Sequence, residues 1–313
     1  MSPHATTGTP APVWFLECEL TNRCQLACRH CYSRSSPTEG HGSMTRADWE
    51  RLLSTAPAAG IRRVQFIGGE ATMYPDFLPL ADHALSVGLE LQVFTNLYRV
   101  TAVQWELFSR PKVTVATSYY SDQADLHDKV TGRPGSHQRT RAAIVAALER
   151  GIPLKVAIVE LFDGQRAGEA HAEMAALGVT RLAPVDRMRG IGRATEEMGI
   201  EADVNELCGR CGDGRAAVSW DGEVRLCVMS RFLPSAGNIR DIDLRDILAG
   251  PAWHDLLTQV PRPRRGDPPC EPVNECPPAY DGDDCPPAYT ECEGNALILP
   301  TIRPVRHLRA DSR

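Results

Sequence analysis

Val13-Trp-Phe-Leu-Glu-Cys-Glu-Leu20 is followed, after Thr21-Asn-Arg23, by Cys24-Gln-Leu-Ala-Cys28-Arg-His-Cys31-Tyr32. The first piece reads as a strand, and the second as a loop leaving its end with C-x3-C-x2-C spacing. Thiolates are the natural ligands of iron–sulfur clusters, and close spacing lets one loop wrap several corners of a cube. Three ligands for four irons leave one iron free to bind a small molecule, whereas a structural zinc or a closed cluster takes four. On spacing alone a zinc site completed by His30 or by a remote residue stays open.

Outward from this loop the chain alternates. Short β-branched or apolar runs, Val13–Leu20, Val64–Ile67, Leu89–Thr95, Val113–Ser118, Leu154–Glu160 and Arg181–Val185, are separated by amphipathic ones. The helix candidates are Thr45–Ala59, Asp76–Val87, Ala102–Phe108, Gln138–Arg150 and Gln165–Leu177. Thr45 with Asp48 makes a capping-box pattern, and Gly60, Gly88, Gly151 and Gly178 stand where helix C-terminal caps belong. Six strands with helical crossovers predict an α/β fold whose parallel sheet curls into a partial (βα)6, TIM-like barrel. Chemistry in such a barrel gathers at the C-terminal ends of the strands.

After about residue 200 the alternation stops. Ala217–Ser219 and Val224–Cys227 read as a hairpin turning at Asp221-Gly222, and Leu244–Leu248 and Ala252–Val260 as short helices. The expected organisation is a disordered lead-in over 1–12, a barrel over 13–200, a small cysteine-rich extension over 201–296 and a basic tail over 297–313.

Of 313 residues, 42% are hydrophobic and 24% charged, values that exclude wholesale disorder. A net charge of −6 with scattered Lys and Arg argues against a nucleic-acid surface. No apolar run reaches the length of a membrane span, and Met1–Pro12 lacks the pattern of a signal peptide, so the cytoplasm is the expected location. Eleven cysteines in such a chain point to metal or redox chemistry rather than disulfides. Beyond Cys18, Cys24, Cys28 and Cys31 the others are Cys208, Cys211, Cys227, Cys270, Cys276, Cys285 and Cys292. Residues 261–294 are rich in Pro, Gly, Asp and Cys and poor in core formers, so a metal is expected to hold them. Cys18, inside the first strand, reads as a buried inert thiol.

Taken in series, the motifs over roughly 13–195 resemble those of the radical S-adenosylmethionine (SAM) superfamily. The resemblance rests on the Cys24, Cys28, Cys31 loop with Tyr32 after it, on Gly68-Gly69-Glu70 after the second strand, and on Thr95-Asn96 closing the third. Ser118 closing the fourth strand, His127-Asp128 with Thr131-Gly132 and Gly135-Ser136, and Gly190-Ile-Gly-Arg193 extend it. It implies a [4Fe-4S] cluster on the three cysteines whose free iron chelates SAM, and reductive release of a 5′-deoxyadenosyl radical. It also implies that Gly68 and Gly69 let backbone approach SAM, that Glu70 meets its ammonium, that Thr95 and Asn96 lie near it, and that Ser118 contacts the ribose. Ala71 stands where the family usually has Pro. For residues 127–136 a turn with an N-cap at Ser136 is the competing reading.

Cys208-x2-Cys211, Gly222-x4-Cys227 and Gly237-Asn238-Ile239 resemble the start of a SPASM or twitch extension. That resemblance implies one or two auxiliary [4Fe-4S] clusters on Cys208, Cys211, Cys227 and the downstream Cys270, Cys276, Cys285 and Cys292. The downstream gaps depart from the family's second block, which leaves the partition of ligands open, with a structural zinc as the alternative. The commonest work of the SPASM group is oxidative modification of a ribosomally made peptide, such as a crosslink; a small-molecule dehydrogenase or epimerase is the alternative. A third reading, an electron-transfer scaffold, is opposed by the intact Gly68-Gly69-Glu70. Implied partners are a peptide or small-molecule substrate and an external electron donor such as a flavodoxin or ferredoxin. The first strand lies close to residue 1, so a separate peptide-recognition protein or direct peptide binding is expected. Arg187, Arg189 and Arg193 are candidates for a substrate carboxylate and Glu160 or Asp186 for a proton, against a solvated surface role for each.

Overall fold

In a computed structural model the described residues are 11–261. Cys270, Cys276, Cys285 and Cys292, the tail and most of the lead-in lie outside them. The six expected strands are β1 (Phe15–Thr21), β2 (Arg63–Gly68), β3 (Glu90–Phe94), β4 (Val113–Tyr119), β5 (Leu154–Glu160) and β6 (Arg181–Leu182). Each runs parallel to the next. The crossovers carry α1 (Arg46–Thr55), α2 (Phe77–Ser86), α3 (Ala102–Phe108), α4 (Ala124–Thr131), α5 (Ser136–Glu149) and α6 (Ala167–Ala176).

Every residue of β1 is buried, as suits a strand with neighbours on both edges. Leu16, Cys18 and Leu20 share a core with Trp49, Leu52 and Leu53 of α1. The strand's period of two puts Glu17 and Glu19 on the opposite face, where Arg215 lies 3.9 Å from Glu17 and Arg231 pairs with Glu19. Carboxylates so deeply buried persist because guanidinium groups offset their charge. Thr45 and Asp48 cap α1 reciprocally, as expected, and the four glycines at helix ends adopt left-handed backbone.

The differences from expectation have local causes. Helix α1 stops at Thr55, and a 3-10 turn with Pro57 covers 56–59, because proline cannot donate to the preceding α-turn. The expected strand Arg181–Val185 stops at Leu182, short of Pro184, and a second short strand, β7 (Asp186–Arg187), follows beyond it and pairs farther along β5. Helix α4 occupies a stretch expected to be loop, α5 starts two residues earlier than expected, and a short helix, α7 (Arg193–Met198), follows Gly192.

Beyond residue 200 the chain returns to the same sheet. Strand β8 (Arg215–Val218) lies parallel against the free edge of β1, and β9 (Glu223–Arg225) and β10 (Gly237–Asn238) follow antiparallel. The order is β10-β9-β8-β1-β2-β3-β4-β5-β6. Helices α8 (Leu244–Ala249) and α9 (Pro251–Gln259) bury Leu244, Ile247, Trp253 and Leu256 in the core that also holds Trp49. No helix among the described residues is long and apolar enough to cross a membrane.

Candidate active site

The cysteine loop leaves the C-terminal end of β1 and is gripped by backbone from several segments. Cys24 N donates to the Ser36 carbonyl at 3.1 Å, and Ala27 N and Arg29 N donate to the carbonyls of Thr131 and Val130 at 3.0 Å. Arg193 N donates to the Cys31 carbonyl at 2.9 Å, and its guanidinium reaches the carbonyls of Cys28 and, at 2.7 Å, Ser35. Gly192, with φ +63°, lies so close to the Tyr32 carbonyl that any Cβ would overlap it. Gly190-Ile-Gly-Arg193 is therefore a clamp on the cysteine loop. On the other side Gly69 N donates to Thr21 O at 2.7 Å and Glu70 N to Arg23 O at 2.9 Å. A Cβ at Gly69 would overlap that Arg23 oxygen.

Cys24 is buried, Cys28 and Cys31 half-buried. Burial first, then the neighbouring thiol, pushes Cys28 up to about 12, and burial also drives Cys24 above its ordinary range. Thiols that resist ionisation alone ionise when a metal supplies the compensating charge. Leu26 N and Asn96 Nδ2 already point at Cys24 Sγ, at 3.4 and 3.6 Å, as donors to a cluster thiolate do. Burial and then Arg193 lower the pKa of His30, named above only as a possible zinc ligand, to about 4, and among the described residues its buried Nδ1 has no hydrogen-bond partner.

Glu70 is buried, and its carboxylate ties two segments together. Thr72 donates to Oε1 through N at 3.2 Å and Oγ1 at 2.7 Å, and Asn96 N donates to Oε2 at 2.8 Å. Among the described residues no cation pairs with Glu70, and burial raises its pKa despite these donors. A buried carboxylate with no cation is the residue a ligand's ammonium would stabilise. Thr95 is buried beside it, and the Asn96 side chain accepts from Gln25 at 2.9 Å. Ser118 is half-buried one residue before the end of β4 and hydrogen-bonds Tyr120, whose hydroxyl also reaches Cys28. Tyr120 escaped the sequence reading, although two tyrosines at the end of a barrel strand were a usable signal. Tyr32 packs towards the barrel interior, against Ile67, Ala217 and Val228, with its buried hydroxyl beside Glu19.

His127 and Asp128 lie in α4 rather than in a loop. Asp128 accepts from Gly135 N at 2.5 Å, Ser136 Oγ at 2.8 Å and His137 N at 2.8 Å. The cap of α5 is this remote carboxylate; Gly135 occupies the N-cap position, and Ser136 is the first helical residue. The Thr131 and Val130 carbonyls of the same stretch hold the cysteine loop.

The second thiol set stands on the other flank of β1. Cys211 Sγ and Cys227 Sγ are 3.0 Å apart, and Cys211 also bonds Cys208. That bond lowers the Cys208 thiol below its ordinary range, helped by Arg215 and Arg189 and opposed by burial. Asp186 pairs with Arg189 at 3.2 Å, Arg187 with Glu206 at 3.2 Å, and Arg193 grips the cysteine loop, so these candidates have structural partners. Glu160 ends β5, half-buried.

The family model described as the radical SAM superfamily matches residues 18–165, and that of the SPASM iron–sulfur cluster-binding domain matches 208–277. A PqqA peptide cyclase of Ruegeria pomeroyi is 32% identical over 181 residues, covering 55% of this chain and 46% of the relative. The subtilosin biosynthesis protein AlbA of Bacillus subtilis is 30% identical over 278 residues, covering 78% and 61%. The chain spans about half the length of the curated relatives it matches. Streptococcus suis SuiB bound to S-adenosylmethionine has a like fold, with TM-score 0.65, 16% identity, and coverage of 79% of this chain and 68% of SuiB. The two matched domains imply [4Fe-4S] clusters and SAM. A cysteine loop set on a parallel barrel, with a second thiol set on the hairpin that completes its sheet, has the matching profile at both places: the chain belongs to the radical SAM superfamily and carries a SPASM iron–sulfur domain.

Proposed function

We propose that this chain is a radical SAM enzyme that oxidatively modifies a ribosomally synthesised precursor peptide, installing a crosslink or a related bond. One observation carries the reading: both thiol sets flank the same strand, Cys24 in the loop after β1 and Cys227 after the hairpin laid along β1. Val228 N, next to Cys227, donates to Glu17 of β1 at 3.1 Å. A substrate in the barrel would have a radical source on one side and an electron acceptor on the other. Relatives named as a peptide cyclase and a bacteriocin biosynthesis protein support a peptide over a small molecule, and SuiB has been crystallised with its precursor peptide SuiA.

Cys24, Cys28 and Cys31 would hold the first cluster, which when bound supplies the electron that cleaves SAM to methionine and a hydrogen-abstracting 5′-deoxyadenosyl radical. Glu70 would receive the SAM ammonium, and Asn96 would keep the Cys24 sulfur oriented. Cys208, Cys211 and Cys227, with cysteines from 270–292, would hold one or two auxiliary clusters. The test is anaerobic co-expression with short open reading frames encoded beside the gene, read by mass spectrometry. A peptide lighter by two hydrogens per bond, together with 5′-deoxyadenosine, is the expected result. Reconstituted protein that never forms 5′-deoxyadenosine from SAM and dithionite would overturn the reading.

A further inference from the structure

Several exposed guanidinium groups in this chain have carboxylate partners: Arg34 with Glu196, Arg46 with Glu50, Arg110 with Asp82, Arg166 with Asp122. Others do not, and three of those gather at one ring. Arg133 and Arg139 lie over the same ring, Tyr98, at 5.3 and 4.8 Å from its centroid, and Arg133 Nε donates to the Tyr98 hydroxyl at 3.3 Å. Arg99 is next along the chain; all three arginines are exposed, and none pairs with a carboxylate among the described residues. In a chain of net charge −6 such a concentration of unpaired cations is a local reversal of sign.

The platform adjoins the cysteine loop. Tyr98 N donates to Asn96 Oδ1 at 2.9 Å, and the same side chain contacts Gln25 and Cys24. Arg133 follows Gly132, which packs against the Ala27 carbonyl, and Ala27 N donates to Thr131 O at 3.0 Å. Ala27 itself is exposed, so the cysteine loop meets solvent beside the arginines. Stacking on one ring limits the rotamers of both guanidinium groups and leaves their N–H edges free, which lowers the ordering cost of meeting a carboxylate.

We propose that Tyr98, Arg99, Arg133 and Arg139 form the docking surface for an acidic one-electron carrier protein of the flavodoxin type. This rests on the reading that Cys24, Cys28 and Cys31 hold a reducible cluster. The carrier loses one electron and that cluster gains it; no bond forms and no group is transferred. Complementary charge speeds the encounter and screens with salt.

The test measures 5′-deoxyadenosine formation by reconstituted holoenzyme with SAM alone. One arm is driven by flavodoxin kept reduced by NADPH and flavodoxin reductase, the other by dithionite. For the double variant Arg133→Glu/Arg139→Glu the flavodoxin-driven rate should fall about tenfold or more at low salt, with the dithionite-driven rate within about twofold of wild type. The gap should narrow as salt rises, and Arg133→Lys/Arg139→Lys should keep most of the flavodoxin rate. An unchanged flavodoxin rate in the Glu variant would overturn the proposal, whether or not the variant had lost binding of a poly-Glu peptide. Equal loss in both arms would also overturn it, since the arginines would then serve SAM. Wild-type protein inactive with dithionite would sink the underlying reading instead.

Discussion

The two thiol sets solve different problems on either flank of β1. The Cys24–Cys31 loop is gripped by main-chain bonds from Ser36, Thr131, Val130 and Arg193, and by the glycine-lined approach of Gly69. Around Cys208, Cys211 and Cys227 the thiols contact one another, and the flanking chain is tied through Gly212 N to Leu226 O, Cys227 N to Ser230 Oγ and Val228 N to Glu17. A site with a corner left open for a ligand must keep its shape whether or not the ligand is there, so the fold holds it. A site whose metal has structural partners only can let the metal do the holding.

The sharpest break of this contrast is the triple change Cys24→Ala, Cys28→Ala and Cys31→Ala. Formation of 5′-deoxyadenosine should vanish while thermal unfolding changes little, because none of the gripping bonds is made by a thiol. A collapse in melting temperature would show that the loop depends on its metal after all.

Cys227→Ala should act the opposite way, losing about four irons per chain and lowering the melting temperature of the loaded protein. Iron analysis and Mössbauer spectra check it; full iron content would take Cys227 out of the auxiliary site.

For Glu70→Gln the expected loss of SAM affinity is about 1.5–3 kcal/mol, with cluster spectra unmoved. Unchanged affinity by calorimetry would leave Glu70 as a tie between Thr72 and Asn96 alone.

The smallest effect expected is that of Asp128→Ala, about 1 kcal/mol of stability from the lost helix cap. Burial opposes ionisation of Asp128, yet its donors His137 N, Ser136 and Gly135 N together hold its pKa below 3.8. Its contribution is therefore present above that value and lost as pH falls through the depressed one, so the two stability curves should converge in acid. A gap that persists undiminished as pH falls would show that the cap does not depend on charge.

Most of the barrel was legible because strand and helix signals there are local. The apolar runs and the helix-end glycines placed β1–β5 well, while the sixth strand stopped short of Pro184 and α4 hid within a motif read as loop. The metal candidates were legible from spacing, since ligands of one cluster must be close in the chain when one loop supplies them. Tyr120 and its edge-on contact with His30 were not, because each matters through a neighbour brought near by folding.

By itself the sequence offered three cysteines in one loop and Gly68-Gly69-Glu70 one strand on, and the family resemblance they carry implies a class of chemistry. It also determined the parallel order of the first strands, because hydrophobic period and crossover length are local properties. Only the tertiary structure decided that the hairpin after residue 200 closes on the edge of β1, that Arg193 clamps the cysteine loop, and that Asp128 caps α5. Each of these joins groups through the closing of a long loop, and such pairings depend on the packed core rather than on neighbouring residues.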